Sequence, residues 1–196
     1  MTSTTIKKLL ENPSGIITSK EVTEAGLHRS ILTKLVEKGK LHKVSRGVYM
    51  TREAWEDEMY FLQYRYSKGI YSHETALYLH SMTDRTPLTF SMTFPKGYNS
   101  PSIKKTNVNV YRVTKNNYKL GITDLLSNYG NHLKVYDVER TLCDILRGNH
   151  STDIQIVNHA MKQYVSSKSK DVQKLLVYAD QLRVKSRVLR YLEVLL

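Results

Sequence analysis

Apolar side chains at Ile6, Leu9 and Leu10 are three to four residues apart. This spacing predicts a short first helix, ended by the breaker run Asn12-Pro13-Ser14-Gly15. Ile16-Ile17 follows as a brief apolar stretch, and Ser19 is placed to cap a second helix opening on Glu21 and Val22. Gly26 supplies the break, because glycine tolerates the backbone angles of a sharp turn. From His28 to Lys38 the stripe Ile31, Leu32, Leu35 and Val36 predicts a third helix, which Gly39 closes. Two short alternating runs, Lys40–Val44 and Val48–Met50, flank Ser45-Arg46-Gly47 and predict a hairpin.

The rest of the chain is longer and mixed. A helix is expected over Glu53–Ser67, then a brief strand at Ile70-Tyr71 and a helix over His73–Met82 capped by Ser72. Leu88–Phe94 and Asn107–Val113 alternate as strands do, and Ile122–Leu126 and Leu133–Tyr136 add shorter strands or turns. From Val138 onward the period is helical to the end of the chain. The expected fold class is α+β: an N-terminal winged helix-turn-helix, then a larger mixed α/β domain with its helices towards the C-terminus. The expected boundaries are 1–52 for the first domain, 53–70 for a helical connector and 71–196 for the second domain.

Charge sharpens this picture. The 196 residues carry a formal net charge of +12 with 40% hydrophobic content, which argues for a folded chain with a polyanionic partner. Ten basic and four acidic residues fall within the first 52, whereas 53–70 is net acidic. A second basic cluster, Lys168, Lys170, Lys174, Arg183, Lys185, Arg187 and Arg190, lies on the C-terminal helices. One cysteine makes an intrachain disulfide impossible, and no apolar run approaches the ~20 residues of a membrane span. A cytoplasmic protein with no membrane partner is the expectation.

The helix, helix, turn, helix and hairpin order suits duplex DNA. A helix of this length fits the major groove, where Arg and Lys address guanine or phosphate and Ser and Thr address either. His28, Arg29, Ser30, Thr33, Lys34 and Lys38 occupy its polar face or start. Arg46 at the wing tip suits a narrow minor groove, and Lys20, Lys40 and Lys43 suit phosphates. The same module in other settings docks a protein, and the residues alone leave that alternative open.

Catalytic chemistry has little support. His73-Glu74 begins like a zinc-protease HExxH motif, but position 77 is Leu, and His80 lies two helical turns away, roughly 10.5 Å along a helix. Cys143 sits between apolar neighbours, as a buried thiol would. The chain has no GxxxxGK[ST] loop, no GxGxxG after a strand and no CxxC pair. No metal, cofactor or catalytic residue is expected.

Two stretches resemble a family signature. Ser72-His73-Glu74-Thr75-Ala76-Leu77-Tyr78-Leu79-His80 with Thr83-Asp84-Arg85-Thr86-Pro87 is one, and Val135–Asp144 is the other. With the N-terminal order and the wing Lys43–Tyr49, they resemble AbiEi-type antitoxins of bacterial type IV toxin–antitoxin systems, linked to abortive infection and phage defence. The resemblance implies a winged helix that represses its own operon at inverted repeats in the promoter. It also implies a C-terminal domain that neutralises a nucleotidyltransferase toxin without requiring a stable complex. Carried over by position, His28, Arg29, Ser30, Thr33, Lys34 and Arg46 would read the operator. His73, Glu74, Arg85, Asp137, Glu139, Arg140 and Asp144 would serve fold maintenance or antitoxin function. Arg140 and Asp144, at i and i+4, are expected to pair on a helix surface for ~0.3–0.5 kcal/mol. With no heptad seam in the chain, a monomer pairing on DNA is expected. A regulator whose second domain senses a ligand or partner is the main alternative, and a nucleic-acid-modifying enzyme is a third.

Overall fold

The computed structural model describes residues 2–147 and 152–195 and folds as two compact units. The first runs to Arg65 and also takes in Leu126–His132; the second holds Tyr66–Leu125 and the chain from Leu133 onward. Helix and strand content is mixed throughout, as the apolar periods require.

In the first unit, α1 (Thr2–Leu10) precedes β1 (Ile16–Thr18), α2 (Ser19–Glu24) and α3 (Ser30–Glu37). Strands β2 (His42–Ser45) and β3 (Val48–Met50) and helix α4 (Glu58–Arg65) follow. The three strands form an antiparallel sheet in the order β1-β3-β2, with a register shift between Lys43 and Ser45. Leu32 from α3 joins Ile17, Val22 and Leu41 in the core, which explains why the third helix carries its apolar stripe.

The second helix is capped by Thr18 rather than Ser19. Thr18 Oγ1 accepts from the Glu21 N–H at 3.2 Å, and the Glu21 carboxylate accepts from the Thr18 N–H at 2.7 Å. This reciprocal box satisfies two N–H groups, whereas a serine one residue later would not reach the same partner. Helix α4 is shorter than the predicted Glu53–Ser67. Asp57 starts it by accepting from the Tyr60 N–H at 3.0 Å, so Trp55 lies before the helix and is 75% exposed. The buried Asp57 carboxylate also accepts from Ser127 Oγ and, at 2.8 Å, from Asn131 Nδ2, which explains why residues 126–132 belong to this unit.

In the second unit, β4 (Ile70–Tyr71), α5 (His73–Leu79), β5 (Phe90–Pro95), a 3-10 turn (Pro101–Lys105), β6 (Val108–Val113) and α6 (Lys115–Lys119) lead into β7 (Ile122–Leu126) and β8 (His132–Tyr136). The sheet order is β6-β5-β4-β8-β7, with β4 antiparallel to β5, and β5–β6 and β4–β8 parallel. Four helices complete the unit: α7 (Val138–Ile145), α8 (Ile154–Ser166), α9 (Val172–Gln181) and α10 (Lys185–Leu195). They share one core around Leu142, Cys143, Met161, Leu175 and Val188. Helix α5 ends at Leu79, short of the predicted Met82, because the chain turns back there and the Met82 N–H reaches the Leu77 carbonyl at 2.8 Å. No helix among the described residues is long and apolar enough to cross a membrane.

Candidate nucleic-acid interface

Two glycine-closed turns set the third helix. Gly26 adopts φ +72° after α2, where the Leu27 N–H bonds the Val22 carbonyl at 3.0 Å. Gly39 adopts φ +66° after α3, where the Lys40 N–H bonds the Leu35 carbonyl at 2.9 Å. Both are Schellman closures, which need a residue free to take a left-handed conformation. With its apolar stripe turned to the core, α3 shows Ser30, Thr33, Lys34 and Glu37 to solvent.

The start of α3 is held by side chains. His28 Nδ1 accepts from the Ser30 N–H at 3.3 Å and lies 2.8 Å from Ser30 Oγ. Arg29 Nε donates to Thr23 Oγ1 at 3.0 Å, tying the guanidinium across the α2–α3 turn. The structure therefore brings His28, Arg29 and Ser30 together with Thr23, which sequence reading did not single out. Lys20, His28, Arg29, Ser30, Thr33, Lys34, Lys38, Lys40, Lys43 and Arg46 are all exposed. Lys20 is 3.6 Å from Glu24 on the α2 surface, a solvated pair of small energetic weight. Exposed donors on one helix and an Arg-bearing hairpin tip are the chemistry that addresses base edges and phosphates.

In the second unit the signature residues do not form one site. Ser72 and Thr75 stitch α5 to β5: Thr93 Oγ1 donates to Ser72 Oγ at 2.9 Å, and the Ser91 N–H donates to Thr75 Oγ1 at 2.8 Å. His73 takes φ +52° and stacks on the Tyr111 ring at 3.6 Å between centroids. Glu74 and Arg85 line a separate cleft with Asp153, which Arg85 pairs at 3.1 Å. Asp153 caps α8 through the Gln155 N–H; that hydrogen bond, followed by Arg85, holds its carboxyl below the usual range.

The surface pair expected for Arg140 and Asp144 is instead buried. Arg140 is wholly enclosed, with Nε 3.0 Å from Asp144. Its Nη1 donates to the Leu120 carbonyl at 3.1 Å and to the Asn117 carbonyl, and its guanidinium lies 4.1 Å over the Tyr136 ring. Nη2 has no hydrogen-bond partner. The i,i+4 spacing is the same for surface and core pairs; the difference is that α7 is buried from Glu139 through Ile145.

Asp137, Glu139 and Lys174 form the third group. Lys174 Nζ lies 3.0 Å from Asp137 and 3.1 Å from Glu139, while Tyr164 donates to Glu139 at 3.3 Å. Burial opposes the Lys174 charge, but the hydrogen bonds to both carboxylates outweigh it and raise its pKa above the ordinary lysine value. The group faces a polar cleft of about 510 Å³ also lined by His80, Thr123 and Lys170. Lys174 is thus tied to two carboxylates, and Lys185 lies 3.4 Å from Asp180. Lys168, Lys170, Arg183, Arg187 and Arg190 are exposed. Burial, with Asp144 adding to it, pushes the Cys143 thiol up to about 12. No group of three or more His, Cys, Asp or Glu among the described residues is arranged to hold a metal ion.

Residues 5–51 match the family model described as "Transcriptional regulator, AbiEi antitoxin". This stretch of the chain is similar to AbiEi antitoxin regulators. That segment contains α2, α3 and the β2–β3 hairpin, the elements that present the exposed basic residues. Among solved structures, the crystal structure of RV2827C protein from Mycobacterium tuberculosis is similar over 96% of this chain and 76% of that one. The TM-score is 0.58 at 16% identity, a likeness of fold. No curated protein sequence matches the chain.

Proposed function

We propose that this AbiEi-type chain is an antitoxin and autorepressor whose first unit is a winged helix-turn-helix bound to inverted-repeat promoter DNA. The observation that carries the reading is the exposure of all ten basic or polar candidate side chains within the AbiEi-matched segment and its hairpin. Helix α3 enters the major groove through Arg29, Ser30, Thr33 and Lys34; Arg46 reaches the adjacent minor groove, and Lys20, Lys38, Lys40 and Lys43 hold phosphates. Two copies occupy the two halves of the repeat.

The second unit neutralises a nucleotidyltransferase toxin, without chemistry of its own and without a lasting complex. Its signature residues serve mainly to build the unit, through the buried Arg140–Asp144 pair and the Lys174 cluster. The protein acts in the cytoplasm in a phage-defence setting. A ligand-sensing regulator is the second reading, favoured by the polar cleft beside Asp137 and Glu139.

Co-expression with the nucleotidyltransferase encoded beside its gene tests the antitoxin reading. Growth is restored by the intact chain and by Arg29→Ala/Arg46→Ala; failure of the intact chain to restore it overturns the reading. The chain is best left uncut in this test, because Asp57 draws Ser127 and Asn131 into the first unit.

A further inference from the structure

A groove of about 540 Å³ between α8 and α10 has an apolar, mainly aliphatic floor and a cationic rim. Leu146, Tyr191 and Val194 supply the floor, and Val194 is 83% exposed. Lys162, Arg187 and Arg190 supply the rim, with no carboxylate among the lining residues. Aliphatic floors suit protein side chains; single-stranded nucleic acid asks for aromatic stacking platforms, and this groove offers one half-buried tyrosine. A cationic rim around an apolar floor asks for an occupant that is apolar at its centre and acidic at its edges.

The chain itself carries such a segment. Trp55 stands 75% exposed before α4, because Asp57 delays the helix start. Glu53, Glu56 and Glu58 flank it, all exposed. A large exposed indole with carboxylates on either side in sequence suits an interface anchor better than a solvated surface.

We propose that the Trp55 segment of one copy seats in the α8–α10 groove of a second copy. The occupant's charge complements the groove, with the indole on the Leu146–Val194 floor and the glutamates facing Lys162, Arg187 and Arg190. One anchored contact is small beside the ~1,600 Å² of a standard stable interface, so the copies associate weakly in solution and firmly only when brought close. The proposal adds a protein contact to the pairing on inverted repeats proposed above, and its test uses no DNA.

Glu53→Cys and Asn158→Cys chains, purified separately, are mixed and treated with a short bismaleimide. Both positions are exposed, Glu53 two residues before Trp55 and Asn158 on the groove lining, while Cys143 is buried and does not compete. The mixed dimer should form on the order of 5-fold faster than with Lys96→Cys as the partner, a position outside the groove. Trp55→Ala in the first chain, or Arg190→Glu in the second, should remove that advantage, with unchanged circular dichroism confirming the fold. Equal rates for Asn158→Cys and Lys96→Cys overturn the proposal, as does an advantage that survives both substitutions. Crosslinking that fails while Arg29→Ala still weakens DNA binding refutes this contact and leaves the DNA reading standing.

Discussion

Charged residues of the same types do opposite work in the two units. Around α3 and the hairpin they stand in water, tied only by light contacts such as Arg29 to Thr23. On α7 they lie inside the protein, where Arg140 meets Asp144 and Glu139 meets Lys174. An exposed cation costs little to keep and is free to meet a partner. A buried one must be matched by protein groups, so its removal leaves an uncompensated charge. Burial separates the basic residues left open to a partner from those that hold the second unit together.

The largest expected effect breaks the buried side. Arg140→Ala should destabilise the protein by ~3–5 kcal/mol, because Asp144 then remains buried without its partner. Arg140→Met with Asp144→Leu should recover part of that loss in urea titration; equal losses for single and double variants would argue against an ion-pair origin. Next comes the exposed side. Arg29→Ala and Arg46→Ala should each weaken binding to the promoter by ~1–3 kcal/mol while leaving the melting temperature unchanged. Thr18→Ala, which removes the α2 cap, should cost ~1 kcal/mol of stability in the same urea titration. Smallest is the surface pair: Arg85→Ala should change stability by less than about 1 kcal/mol, since Arg85 and Asp153 are largely exposed. Cys143 sharpens the contrast at no cost in mutations. Its thiol, raised to about 12 by burial, should alkylate at pH 8 only after unfolding, as intact mass would show.

How far the sequence carried each unit follows from the range of the forces involved. The first unit is built from local signals: the Ile31–Val36 stripe, Gly26 and Gly39 as stops, and the Arg46-Gly47 turn all act within a few residues. The elements up to Met50 were therefore legible, apart from a one-residue displacement of the α2 cap, whereas the late start of α4 at Glu58 and the inclusion of residues 126–132 were not. The second unit depends on pairings between distant segments. Nothing local in Tyr71 shows that it lies beside Val135, and in the first unit the long-range tie of Asp57 to Ser127 and Asn131 was equally hidden. The same limit hid the burial of Arg140, whose spacing to Asp144 reads alike on a surface and in a core. Lys174 counted towards a basic surface for the same reason, although Asp137 and Glu139 claim it.

DNA binding through the exposed basic residues of the first unit is open to direct measurement. Fluorescence anisotropy with the DNA upstream of its own gene, comparing the intact chain with Arg29→Ala/Arg46→Ala, tests it most directly. The double variant should melt as the parent does and lose roughly thirty-fold or more in affinity, with a shallower salt dependence. Parental affinity in a correctly folded double variant would contradict the account.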